Sequence, residues 1–104
     1  MAKEEICIVK VGEIINDFID SRGFSIEDKI RKNRRYKKTR ERIEKFGYDA
    51  CKYGHIIVDR KRLKHPRPTE EQPYAVNDGN HRVLILKDLY GPNYEVQIKD
   101  ITNE

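Results

Sequence analysis

The chain has 104 residues, of which 38% are charged and 37% are hydrophobic, and its formal net charge at pH 7 is +4. This length suits one small domain with a modest core and is too short for two. It contains no apolar run near the roughly 18 residues that a membrane-spanning helix requires, and residues 1–5 do not resemble a signal peptide. We therefore expect a soluble cytoplasmic protein, without a membrane partner.

Residues 1–34 predict one strand followed by two helices. The apolar residues between Ile6 and Val9 indicate the strand. A helix that ends at Gly23 is predicted next, because apolar residues recur at helical spacing: Val11, Ile14, Ile15, Phe18 and Ile19. Ser25 followed by Asp28 is a capping-box-like start for a second helix. We expect both helices to cover one side of a sheet.

The segment Lys29–Lys45 concentrates the positive charge of the chain. It contains ten basic and two acidic residues, a local charge of +8, so the remainder of the chain carries −4. A helix from about Arg35 to Phe46, ended by Gly47, is predicted because a narrow apolar stripe recurs at helical spacing: Tyr36, Thr39, Ile43 and Phe46. We expect this stripe to pack on the core and the basic side to face outward.

A basic helix of this density is typical of proteins that bind nucleic-acid phosphates. The alternative is a solvated surface helix, but such helices usually carry balancing acids, and Arg31–Arg40 contains none. Only Tyr36 interrupts the run, which favours duplex or backbone contacts over base stacking on single strands. The predicted DNA-binding residues are Arg31, Lys32, Arg34, Arg35, Lys37, Lys38, Arg40 and Arg42.

Two strands are predicted after the basic helix. His55–Val58 is rich in β-branched residues and is expected to be a central strand. Its expected partner is Tyr74–Asn77. The polar segment Arg60–Pro73 joins them and is too long for a tight hairpin.

The second of these strands leads into a tight turn and a helix. The run from Tyr74 ends at Asn77-Asp78-Gly79, a turn sequence. A helix is predicted from Asn80 to a Gly-Pro stop at residues 91–92. The alternating pattern of Tyr94–Ile98 predicts a final strand.

The junction between strand and helix is suited to an anion. The first N–H groups of a helix lack intrahelical acceptors and lie at the positive end of its dipole. Gly79 allows close approach of a phosphate, Arg82 can pair with it, and His81 can exchange a proton near neutral pH. The predicted phosphate or nucleotide ligands are Gly79, Asn80, His81 and Arg82. Ordinary turn chemistry is the alternative, with Asp78 or Asn80 acting only as a helix cap.

The sequence Asp78-Gly79-Asn80-His81-Arg82, between a strand and a helix, resembles the signature of the ParB N-terminal domain and sulfiredoxin superfamily. The resemblance covers residues 35–101, so residues 1–34 form a variable N-terminal section of one domain. It implies an α/β fold of ParB/sulfiredoxin type, a small mixed sheet flanked by helices. It also implies that the turn holds the phosphates of a nucleotide.

Three branches of this superfamily differ at the motif. Sulfiredoxins carry a reactive cysteine directly before the His-Arg pair, and here that position is Asn80, which excludes their reaction. Free serine kinases carry Asp-Gly-x-His-Arg, as here, and a carboxylate soon after the first strand, for which Glu13 is the nearest match. ParB partition proteins carry Gly-x-x-Arg, but continue into a second nucleotide motif and a helix-turn-helix that are missing before Glu104.

The leading expectation is a stand-alone ParB-like DNA-associated protein, since a small-molecule kinase does not need the basic segment. Proteins that it resembles are often described as nucleases, in which case Asp78 and His81 would be catalytic and Arg82 would stabilise charge. A nucleotide with Mg²⁺ is a possible cofactor, although no cluster with metal-ligand spacing is visible. The alternatives are a nucleotide-dependent kinase of a small hydroxyl substrate such as serine, with Glu13 as base, and a non-catalytic regulatory module.

Overall fold

The computed structural model describes residues 5–102, apart from the side chain of Cys51. Five strands are formed: β1 Glu5–Lys10, β2 Ile14–Ile15, β3 Ile56–Asp59, β4 Tyr74–Asp78 and β5 Glu95–Asp100. The α-helices are α1 Glu27–Arg31, α2 Arg34–Phe46, α3 Ala50–Tyr53 and α4 Asn80–Tyr90. Within the described residues, none of the helices has the length and apolar character needed to cross a membrane.

The strands form one mixed sheet in the order β1-β5-β3-β4-β2. The pairs β1–β5 and β3–β4 are antiparallel, whereas β3–β5 and β2–β4 are parallel. The prediction of a mixed sheet with helices is therefore confirmed. The expected central position of the 55–58 strand and its pairing with the 74–77 strand are confirmed as well.

The core lies between the sheet and the two longer helices. Four consecutive residues of α4, Val83–Leu86, are buried, because α4 contacts both β3 and α2. A helix that is apolar all round must be covered on more than one side. The helix α2 buries only Tyr36 and Ile43. Phe46, which its spacing predicts to belong to the same packed stripe, is 66% exposed, so that part of the prediction is wrong.

The predicted helix over Val11–Ile19 is wrong. A short 3₁₀ turn, Val11–Glu13, leads instead into β2, which runs parallel to β4. The backbone N–H of Val11 donates to the carbonyl of Tyr94 at 2.9 Å, and that of Gly12 donates to the carbonyl of Pro92 at 2.8 Å. These bonds to the chain before β5 replace the intrahelical bonds, and the β-branched Ile14 and Ile15 suit the strand that follows.

The carboxylate of Asp88 on α4 holds α1 and α2 in place. It accepts hydrogen bonds from Arg31 Nε at 2.8 Å and Nη2 at 2.9 Å, and another from the hydroxyl of Tyr36. Burial alone would raise the pKa of Asp88, but the bonds from Arg31 and Tyr36 outweigh it and lower this pKa below its usual value. The carboxylate therefore remains ionised and bonded at neutral pH.

Replacing Asp88 by Ala leaves the guanidinium of Arg31 and the hydroxyl of Tyr36 without their acceptor. We expect the free energy of unfolding at pH 7 to fall by about 1–2 kcal/mol, measured by urea denaturation. A carboxyl with a lowered pKa stabilises the fold above its unfolded pKa, near ~3.9. The difference from wild type should therefore shrink as the pH falls below that value.

The matched control is Glu44→Ala, which removes an exposed ion pair with Arg40 on the same helix α2. We expect it to change the free energy of unfolding by no more than about 0.5 kcal/mol. Equal losses for both variants would contradict the role assigned to Asp88.

Candidate phosphate-binding cleft

The turn between β4 and α4 has the predicted architecture. β4 ends at Asp78 and α4 begins at Asn80. Between them Gly79 has a φ of +111°, and its carbonyl accepts the first intrahelical bond, from Val83, at 3.0 Å. A Cβ on Gly79 would lie 3.0 Å from Nη2 of Arg82 and 3.2 Å from Cγ1 of Ile56. Both the backbone conformation and the packing therefore require glycine here.

The turn forms one wall of a cleft of about 500 Å³. Arg35 and Thr39 of α2 form another wall, and Phe18 and Tyr53 complete it. The structure thus brings together two predicted features that are about 45 residues apart in sequence: the signature turn and the beginning of the basic helix.

Arg82 is held under the turn by backbone carbonyls. Its Nη1 donates to the carbonyl of Tyr53 at 3.0 Å and also to that of Gly54. The side chain is only 13% exposed, and its Nη2 lies 3.9 Å from the carboxylate of Asp78. Carbonyls are neutral, so they orient the guanidinium without cancelling its charge. Arg82 thereby fixes α3 against the turn and supplies positive charge to the cleft.

Asn80 has a positioning role. Its Oδ1 accepts a hydrogen bond from the backbone N–H of Asp17 at 2.7 Å. This bond ties the loop that carries Phe18 to the first residue of α4. The ring of Phe18 then packs edge-to-face on the ring of His81, with centroids 5.1 Å apart.

His81 is half-buried in the cleft. Its pKa is lowered from the usual 6.5, first by burial and then by the positive charge of Arg35. The imidazole is therefore neutral at pH 7 and can accept a proton. Asp78, the other predicted catalytic residue, lines the same cleft with a side chain that is 71% exposed.

The predicted DNA-binding residues fall into two groups. Arg31 pairs with Asp88 and Asp28, and Arg40 pairs with Glu44 and bonds to the hydroxyl of Tyr36. These two arginines therefore stabilise the fold and are less available for DNA. The other six are exposed and form no ion pair with any described residue: Lys32, Arg34, Arg35, Lys37, Lys38 and Arg42.

Glu13 does not reach the cleft. Its carboxylate accepts a hydrogen bond from the backbone N–H of Lys10 at 3.1 Å. The next residue, Ile14, pairs with Tyr74 at the start of β4, whereas the turn follows the end of that strand. Glu13 is not among the residues that line the cleft.

Phe18, Thr39 and Tyr53 line the cleft but were not predicted to be site residues. Phe18 belongs to the segment wrongly predicted to be helical. Tyr53 ends α3, which has four residues and is too short to show a helical period. Within the described residues, His, Cys, Asp and Glu do not come together in groups of three or more that could hold a metal ion.

A second cavity, of about 560 Å³, lies between the 17–23 loop and residues 62–65. Two of its cations are paired, Arg62 with Asp17 and Arg22 with Asp20, and Lys64 also lines it. The first cleft is the better candidate for an anion because it lies at the N-terminus of α4, where the first N–H groups can bind one.

The resemblance to known proteins rests on a short motif. Comparison of the chain with family models, with curated proteins and with solved structures finds no match. The resemblance to the ParB/sulfiredoxin superfamily is therefore an expectation from the Asp78–Arg82 motif alone.

Replacing Gly79 by Ala should damage both the turn and the cleft. A residue with a Cβ pays about 1–2 kcal/mol in the left-handed region, and here the Cβ also meets Arg82 and Ile56. We expect the free energy of unfolding, measured by urea denaturation, to fall by about 2–4 kcal/mol when both effects are counted.

Gly91→Ala, at the other end of α4, is the matched control. Gly91 has a φ of +86° and no atom within 4 Å of its would-be Cβ. With ψ at 170° it lies in a backbone region that is almost exclusive to glycine, so this variant should show a backbone cost without a packing cost, about 1–3 kcal/mol. If Gly79→Ala loses no more than the ~1–2 kcal/mol expected from its own backbone conformation, the close packing of Gly79 against Arg82 does not matter.

Proposed function

We propose that the protein binds DNA through its backbone phosphates and that one phosphate occupies the cleft. The observation that carries this proposal is the position of Arg35. It belongs to the unpaired basic surface of α2 and lines the same cleft as the N-terminus of α4. A phosphate there would meet the N–H groups of the first turn of α4 and the charges of Arg35 and Arg82.

The remaining free basic residues extend this surface beyond the cleft. Neutralising a phosphate with Lys or Arg releases condensed counterions, which favours binding at low salt. Each further phosphate contact along α2 releases more counterions and so increases the affinity at low salt. A single phosphate in the cleft would then fix the register of a DNA strand whose other phosphates contact the helix.

The same proposal includes a ParB/sulfiredoxin-type fold and a stand-alone ParB-like role within the cell. It is supported by the position of the Asp78–Arg82 motif between β4 and α4 in a mixed sheet. The phosphates of a free nucleotide would meet the same groups, so a nucleotide would compete with DNA. The kinase alternative requires Glu13 as base, and Glu13 lies outside the cleft.

Hydrolysis of the bound phosphodiester is a second candidate function. It is favoured by the lowered pKa of His81, which keeps the imidazole neutral and able to accept a proton from water at pH 7. Arg35 and Arg82 would stabilise the negative charge that develops on the phosphate. If the bound DNA is not hydrolysed, the protein is a non-catalytic binding module.

Arg35→Ala and Lys37→Ala test whether the cleft or the charge alone binds DNA. Both variants remove one positive charge from an exposed position of α2, but only Arg35 lines the cleft. We expect Arg35→Ala to weaken binding to duplex DNA about tenfold, or about 1.4 kcal/mol. We expect Lys37→Ala to weaken it no more than about twofold. Fluorescence anisotropy over a salt titration gives both affinity and salt slope.

The wild-type protein should show a steep loss of affinity with salt. Equal effects of the two variants would show that the cleft is not the site, and the absence of DNA binding at low salt would overturn the proposed function. The same samples, incubated with and without Mg²⁺, report on hydrolysis: cleaved DNA supports the second candidate, and intact DNA leaves binding as the function.

A further inference from the structure

Phe46, the last residue of α2, is an exposed aromatic side chain beside the basic surface. Its ring is accompanied by two ammonium groups, Nζ of Lys45 at 5.5 Å and Nζ of Lys52 at 5.3 Å from its centroid. The side chain is 66% exposed. A large exposed aromatic ring beside two ammonium groups is well suited to a ligand that is both aromatic and anionic.

Phe46 is connected to the cleft through α3. The ammonium of Lys52 that lies over Phe46 also lies 5.8 Å from the ring centroid of Tyr53. Tyr53 lines the cleft, and its carbonyl accepts a hydrogen bond from Arg82. Tyr53 and Lys52 therefore connect the phosphate-binding turn to Phe46.

The same path follows one face of α2. Residues at spacings of four, three and four lie on one side of a helix, and Arg35, Thr39, Arg42 and Phe46 have this spacing. The first two line the cleft, and Arg42 is exposed without an ion pair to any described residue. From Arg35 to Phe46 the helix rises by about 16 Å, a length that suits a short stretch of a nucleic-acid strand.

A single strand fits this surface better than a duplex. In a duplex the base faces are covered by neighbouring bases, whereas a single strand offers free faces that stack on aromatic side chains. The sequence favours duplex contacts because only Tyr36 interrupts the basic run, and Tyr36 is buried. Phe46 directly follows the run, and the fold places Tyr53 near it with Lys52 beside both rings, so cations and aromatic rings occur together.

We propose that this surface binds single-stranded nucleic acid, with a phosphate in the cleft and a base stacked on Phe46. The inference rests on the proposed DNA binding and specifies its strandedness. A protein partner is disfavoured, because Lys45 and Lys52 lie beside the ring and Arg42 lies on the same helix face, a concentration of positive charge that matches the regular negative charge of a nucleic-acid backbone.

The test compares an oligothymidine of about 12 nucleotides with a duplex of the same length, within the ~4–16 nucleotides that such sites cover. We expect Phe46→Ala to weaken oligothymidine binding about tenfold, since stacking of a base is worth roughly 1–3 kcal/mol. Duplex binding should change by less than about twofold, because no base reaches the ring.

Phe24→Ala is the matched control. Phe24 is 63% exposed and has the guanidinium of Arg22 5.3 Å from its ring centroid, but it does not line the cleft. This variant should bind oligothymidine as the wild type does. Phe46→Trp should retain binding because it retains a stacking ring, whereas Phe46→Leu, which keeps apolar bulk alone, should behave like Phe46→Ala.

Several outcomes would overturn the inference. Oligothymidine binding that is unchanged in Phe46→Ala, or fully retained in Phe46→Leu, would exclude a stacked base. If Arg35→Ala still weakens duplex binding in that case, the proposed DNA binding stands and only the single-strand assignment fails. Binding of polyglutamate that depends on Phe46, in place of oligothymidine, would assign the surface to an acidic protein partner.

Discussion

The position of the basic helix depends on one partly buried carboxylate, that of Asp88. Only two side chains of α2, Tyr36 and Ile43, are buried, so apolar packing holds this helix weakly. The hydrogen bond from Tyr36 to Asp88 fixes the orientation of α2. The bonds from Arg31, just before α2, connect that part of the chain to the same carboxylate. Because Arg35 directly precedes Tyr36, the bond from Tyr36 also sets where Arg35 meets the turn.

The cleft contains more positive than negative charge. Arg82 is oriented by two carbonyls and lies 3.9 Å from the carboxylate of Asp78, whereas Arg35 forms no ion pair with a described residue. Arg35 approaches His81 closely enough to help burial lower the pKa of the imidazole. Arg35 and Arg82 line the same cleft, so an anion there would be attracted by both, which is the physical basis for the proposed phosphate site.

Much of the fold could be predicted from the sequence because its strongest signals are local. Turn residues and apolar runs predict the turn at Asp78–Gly79, the helix α4 after it and the pairing of β3 with β4. The tertiary contacts of these elements agree with the local signals. The segment Val11–Ile19 could not be predicted, since its helical spacing is overridden by hydrogen bonds to residues 92 and 94, about 80 positions away.

The same limit applies to the candidate site. The turn residues could be predicted, but the other walls of the cleft could not: Phe18 lies in the segment whose helical spacing is misleading, and Tyr53 lies in a helix of four residues that is too short to show a period. The pairing of Arg31 with Asp88 spans 57 residues and has no local signal. The pairing of Arg40 with Glu44, four residues on, could have been read from the helix spacing.

Arg35 of the basic helix and His81 of the turn form one electrostatic site. This shared site is tested most directly by an NMR pH titration of the His81 ring in wild type, Arg35→Ala and Lys37→Ala. The pKa of His81 should lie below 6.5 in wild type and in Lys37→Ala, and should rise in Arg35→Ala, because the neighbouring charge that opposes protonation is gone. The same pKa in all three proteins would show that the two features do not share a site.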